Sequence, residues 1–179
     1  MSEEMQPARL GLAHVYLTNS PVEKGDVLVV ISNSGRNAVP VEMATEGKKM
    51  GLHVIAVTNV AHSKGTPSRH LSGKRLFEVA DLVLDTCGEP GDALVSIEGS
   101  SAKAGPGSTI AGAVLVNSMM VEVMELLAKR GVTPGILHSS NNDDKAGALE
   151  NARVASDFVR KFSERQVRMQ LRTREGLAD

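Results

Sequence analysis

Tryptophan is absent from this 179-residue chain, cysteine occurs once, and aromatic residues make up only 2% of it. Each shortage excludes something. A lone Cys87 cannot close an internal disulfide, and a reducing cytoplasm is the expected setting. Tyr16, Phe77, Phe158 and Phe162 are too few rings for a base-stacking platform on single-stranded nucleic acid. An excess of one charge is missing too. Twenty Lys+Arg against 21 Asp+Glu leave a formal net charge of −1, which removes the whole-chain electrostatic case for nucleic acid or an anionic membrane surface. The uninterrupted apolar runs fall far short of a bilayer span, so no membrane helix is expected. The opening Met1-Ser2-Glu3-Glu4-Met5-Gln6 places acids where a secretory signal needs an apolar segment. What is left is about one domain's worth of chain, 41% hydrophobic, whose core must be built from Val, Leu, Ile, Ala and 8 Met.

Lys24-Gly25-Asp26 is a turn signal, and Val27-Leu28-Val29-Val30-Ile31 follows it without polar alternation. Such a run predicts a strand covered on both faces, as in a parallel sheet. The small polar loop Ser32-Asn33-Ser34-Gly35-Arg36-Asn37 feeds a helix over about 38–50. Asn37 is the expected N-cap, Pro40 falls in the first turn, and Gly51 ends the helix. A second strand is expected from His53 to Asn59, so residues 26–59 form a strand–helix–strand crossover unit. Next come a polar loop over 60–71, a short helix from Ser72 to about Val79, a strand Leu82–Asp85, and a shorter edge strand from Ala93 to Ile97. Gly99 to Gly107 reads as loop. A long helix opens at Ser108-Thr109 and runs to about Lys129, with Ile110, Val114, Leu115, Met119, Val123, Leu126 and Leu127 as its apolar face. The last helix, roughly Ala148–Arg172, is rich in arginine and carries a thin stripe of Val154, Phe158 and Phe162, a solvated basic face with a packing stripe.

Chemistry concentrates after the first strand. That loop sits at the carboxyl end of a parallel strand, where open α/β sheets bind ligands, and feeds a helix N-terminus, where unpaired amides attract anions. Ser32 and Ser34 add hydroxyls, Asn37 adds an amide, and Gly35 lets the backbone come close. About four or five hydrogen bonds to a phosphate, at about 1.5–3 kcal/mol each before costs, support affinity around micromolar.

The run Gly25–Ala44 resembles the second phosphate-binding segment of sugar isomerase (SIS) domains. It is most similar to bacterial SIS proteins related to phosphoheptose isomerases and N-acetylmuramic acid 6-phosphate etherases. Val54-Ile55-Ala56-Val57-Thr58, Ser68-Arg69-His70-Leu71-Ser72-Gly73-Lys74, Asp81-Leu82-Val83-Leu84-Asp85, Gly88-Glu89-Pro90-Gly91-Asp92-Ala93, Ser108-Thr109 and Ser139-Ser140-Asn141 follow in matching order. The resemblance covers roughly residues 24–142. It implies an α/β, flavodoxin-like three-layer sandwich with a parallel sheet that binds phosphorylated sugars, usually in oligomers. It also implies a phosphosugar-binding set of Ser32, Asn33, Ser34, Gly35, Asn37, Thr58, Lys74, Ser108 and Thr109. Asn37 departs from the usual Ser or Thr. Nothing before Lys24 matches the earlier glycine/serine loop of such domains, so their N-terminal part is expected to be missing here. The expected organisation is an N-terminal arm over 1–22, a partial SIS domain over 23–145 and a basic helix over 146–179. An uncovered sheet edge then calls for a homodimer or higher oligomer, or for a partner that supplies the missing half.

The candidate acid–base residues are His62 and His70, on a loop at the ligand edge, and Glu42, the nearest glutamate to the cradle. Histidine side chains exchange protons near neutral pH, and a carboxylate can lift the proton beside a carbonyl. Arg69 or Lys74 could pair with phosphate. His138, Asn141, Asn142, Asp143 and Asp144 lack metal-site spacing, and neither metal nor other cofactor is expected. A dinucleotide is disfavoured because no Gly-x-Gly-x-x-Gly follows a strand. Three functions stay open: a phosphosugar isomerase acting by acid–base proton transfer, a non-catalytic phosphosugar-sensing module, and a degenerate SIS fragment with an associative role.

Overall fold

The five apolar residues Val27–Ile31, four of them β-branched, form strand β1 and start the sheet. The computed structural model describes residues 11–141 and 145–174. It falls into two units, 1–119 and 120–179, with the boundary inside one long helix. Asn142, Asp143, Asp144 and the first ten residues of the expected N-terminal arm lie outside the described residues.

In the first unit, helix α1 (Leu12–Thr18) precedes β1. Helix α2 (Ala38–Lys49), β2 (His53–Thr58), α3 (Val60–Lys64), α4 (Leu76–Val79) and β3 (Leu82–Asp85) follow it. All three strands are parallel in the order β1-β2-β3, with Val27 opposite His53 and Ile55 opposite Leu82. Sequential neighbours joined by crossover helices on one face are the simplest solution to parallel pairing. That face carries the core, where Val30, Val54 and Ala56 pack with Ala44 of α2 and Leu76 of α4. Asp81 clasps this layer. Its carboxylate accepts from the Val54 amide at 2.8 Å and pairs with Lys48.

Several expectations change here. The buried line of α2 is Ala38, Val41, Ala44 and Gly47, a mostly small-residue face that lets the helix lie close to the sheet. A side chain at Gly47 would strike Leu28 Cδ2. Residues 60–71 contain α3, opened by the Asn59 side chain accepting from the His62 amide. The helix expected from Ser72 shrinks to Leu76–Val79, because Ser72 is tied back to His70. The chain from Ala93 is no edge of the parallel sheet. β4 (Ala93–Ser96) pairs antiparallel with β5 (Lys103–Pro106), a strand in what reads as loop. Nor is β1 covered on both faces, since Val27 and Ile31 stay 58% and 60% exposed.

Helix α5 (Ser108–Lys129) spans the unit boundary. Its apolar residues are widely exposed, Ile110 at 70% and Val114 at 59%. By length and composition alone it is long and apolar enough to cross a membrane, although no uninterrupted apolar run in it reaches a bilayer span. Asn117 and Glu122 break the runs without making the helix polar. A single such helix is weak evidence for a span. In the second unit, helix α6 (Lys145–Arg174) is three residues longer at its start than expected. Much of its basic face is self-paired: Arg153 with Glu150 and Asp157, Arg160 with Asp157 and Glu164. Phe158 and Phe162 stack at 5.9 Å between ring centres. Asn151 clamps the His138 backbone in both directions.

Candidate functional site

The loop after β1 is shaped from beneath. The Thr58 hydroxyl donates to the Asn33 carbonyl at 3.1 Å, and the Asn59 amide donates to the same oxygen at 2.9 Å. The Gly35 amide closes a turn on the Ser32 carbonyl, the Leu76 amide takes the Gly35 carbonyl, and the Arg69 amide takes the Arg36 carbonyl. The carbonyls of Ser32, Asn33, Gly35 and Arg36 are thus all consumed by the protein. Among the described residues, no acceptor is paired with the amides of Asn33, Ser34, Arg36 or Asn37. A loop whose carbonyls are tied to its own frame and whose amides are unpaired is electropositive, and the α2 N-terminus adds to that field.

Gly35 makes this arrangement possible. Its φ is +57°, and a Cβ there would lie 2.9 Å from Thr58 Oγ1 and 3.0 Å from Ser63 Oγ, both buried. The sequence reading gave this glycine the task of admitting a ligand. The structure gives it the task of lying flat on the core.

Beside the loop is a cleft of about 400 Å³. Ser32 and Asn33 line one side, Ser108, Thr109 and Asn117 of α5 another, and Thr86 the end of β3. Ile31, Val57, Gly112, Ala113 and Val116 make its apolar wall. This mixture of apolar wall and a few polar groups is typical of small-molecule clefts. At the α5 end, Asp92 is already in place. Its carboxylate accepts from the Ser108 amide and the Ser108 hydroxyl, each at 2.8 Å.

Ser32, Asn33, Ser108 and Thr109 are therefore brought together, with Ser34, Gly35 and Asn37 on the same loop. Asn37 holds the N-cap position without capping, because its side-chain oxygen accepts from the Arg69 guanidinium at 3.2 Å instead. Thr58 is fully buried and spent on Asn33, so it positions the loop and does not face the cleft. Lys74 is exposed and absent from the cleft lining; its backbone is tied to Ser68 and Ser72, and its charge helps to lower the Glu78 carboxyl.

The candidate acid–base groups are elsewhere. Glu42 turns its carboxylate to the Gly11 and Ala13 amides at the start of α1. His62 Nδ1 accepts from the Gly91 amide at 2.9 Å, which fixes the chain before Asp92. His70 is folded onto Ser72. None of the three lines the cleft. The strongest carboxyl shift, Glu78 pushed down to about 2, arises from the Arg75 side chain and backbone at the start of α4, a capping interaction and not a reacting group. No group of three or more metal-ligating side chains occurs among the described residues.

Sequence reasoning missed Thr86, Asn117 and Asp92. Thr86 follows a third parallel strand and could have been found by asking what lies at the same rim. Asn117 sits at helical spacing from Thr109 and Ala113. Asp92 stands in the sequence only within the Gly88–Ala93 match, and its place here depends on a contact with Ser108, sixteen residues on.

A model of the SIS domain matches residues 5–59. A UPF0309 protein of Shouchella clausii is 47% identical over 74% of this chain and 54% of its own length. Another, from Halalkalibacterium halodurans, is 42% identical over 84% of this chain and 61% of its own. A third, from Streptomyces coelicolor, is 43% identical over 83% and 58% respectively. The chain thus spans between 54% and 61% of the length of these three relatives.

Proposed function

We propose that this chain, whose residues 5–59 match a model of the SIS domain, is a SIS protein that binds a phosphorylated sugar in the cleft between the Ser32–Asn37 loop and the first turns of α5. One observation carries the reading. The carbonyls of Ser32, Asn33, Gly35 and Arg36 are engaged by the protein while the amides of Asn33, Ser34, Arg36 and Asn37 are unpaired among the described residues, beside the hydroxyls of Ser32 and Ser34. That is an excess of donors over acceptors, which suits a dianion. The adjoining wall of Val57, Gly112, Ala113 and Val116 suits the carbon skeleton of a sugar.

Binding without catalysis is the form of this proposal that the side chains favour. Proton transfer at a sugar carbon needs a base within hydrogen-bond reach. Glu42, His62 and His70 are each committed to a backbone amide or a neighbouring hydroxyl outside the cleft. The isomerase reading requires a base from another copy or another chain. A second copy is also our proposed cover for the exposed apolar residues Val27, Ile31, Ile110 and Val114.

Calorimetric titration with hexose, heptose and amino-sugar phosphates tests the reading. A phosphosugar binds and its unphosphorylated parent does not, and Ser34→Ala weakens binding by about 1–3 kcal/mol without loss of folding. Equal affinity for both sugars refutes it. Aldose–ketose interconversion assays with the same panel separate binding from turnover.

A further inference from the structure

The cleft has two ends of different electrostatic character, and a single residue sets the difference. At the loop end, the amides of Asn33, Ser34, Arg36 and Asn37 are unpaired among the described residues. At the α5 end the first amide and the Ser108 hydroxyl are both taken by Asp92. Resting on the phosphosugar reading above, we infer that Asp92 is a specificity-determining residue. It acts as a built-in anion at the α5 end of the cleft, confines a phosphate to the Ser32–Asn37 loop and rejects a ligand carrying a second anionic group.

Asp92 is held there by more than its own carboxylate. Its φ of +74° is a conformation that L residues other than Asn and Asp seldom adopt. The preceding Gly91 amide is fastened to His62 Nδ1, and the Gly107 amide donates to the Asp92 carbonyl at 3.1 Å. Both segments that bound the β4–β5 hairpin thus converge on this residue, which brings its side chain against Ser108. An acidic group one hydrogen bond from a cleft-lining hydroxyl repels a second phosphate brought to that end, most strongly at low ionic strength.

The test compares fructose 6-phosphate with fructose 1,6-bisphosphate by calorimetry on the whole chain. Wild type is expected to bind the monophosphate at least about tenfold more tightly. Asp92→Asn keeps an acceptor for Ser108, suits a left-handed backbone and removes the charge, so the preference falls below about threefold. Asp92→Gly suits the same backbone and gives the same shift, so the test survives a folding failure in either variant. An unchanged preference in the folded variants overturns the role of Asp92. In that case the binding reading still stands if Ser34→Ala weakens the monophosphate. If wild type binds neither sugar, the inference and the reading beneath it both fall.

Discussion

Gly35→Ala is the substitution whose consequence the structure fixes most closely. Two costs add. The first is conformational: at φ +57° a Cβ meets its own backbone, at about 1–2 kcal/mol. The second is packing. The new carbon would stand 2.9 Å from Thr58 Oγ1, 3.0 Å from Ser63 Oγ and 3.3 Å from Leu76 Cβ. All three neighbours are fully buried, and none is the loose end of a flexible chain. Overpacking of this kind costs about 1–3 kcal/mol. The expected loss is about 2–5 kcal/mol, read as a fall in the urea midpoint at constant slope. Ser63→Ala is a diagnostic partner. Its buried hydroxyl has no hydrogen-bond partner, so the single variant is neutral or stabilising, and the double variant recovers part of the loss without relieving Thr58. A loss below about 1 kcal/mol for Gly35→Ala would refute the view that this glycine seats the loop on the core.

Other expectations follow from the same frame. Asn59→Ala removes a buried amide that accepts from the His62 amide and donates to the Gly88 carbonyl, and should cost about 2–3 kcal/mol in chemical denaturation. Glu42→Gln should loosen α1, seen as faster hydrogen exchange over residues 12–18, while leaving phosphosugar affinity unchanged. Glu78 has a folded-state value of about 2 against an ordinary 4.5, so its contribution to stability is complete above about pH 4.5 and is lost as pH falls towards 2. The stability gap between wild type and Glu78→Gln should therefore be constant from neutral pH down to about 4.5 and close below it. Light scattering should show a dimer or larger species; a stable monomer would leave Val27, Ile31 and Ile110 without the proposed cover.

The parallel strands were legible because an unbroken β-branched run such as Val27–Ile31 admits few other readings, and the turn residues around it mark the rim. The donor-rich loop was legible for the same reason. What escaped was whatever depends on where a side chain finds its partner. Asn37 has the chemistry of a cap, yet Arg69 reaches it from 32 residues away. Glu42 is near the cradle in sequence, but helical geometry turns it to the opposite side, towards α1. Thr58 has the hydroxyl of a ligand-binding residue and the burial of a core residue. Strand β5, Lys103–Pro106, has glycine and proline that argue for loop, and exists only because β4 lies alongside it.

The central claim is that the turn after β1 holds the phosphate of a sugar. Amide chemical shifts followed during titration with a sugar phosphate test it residue by residue. The largest changes are expected on Asn33, Ser34, Arg36 and Asn37, with smaller ones at Thr86 and Thr109. Saturable binding that leaves those four amides unmoved, with its shifts on another surface, would contradict it.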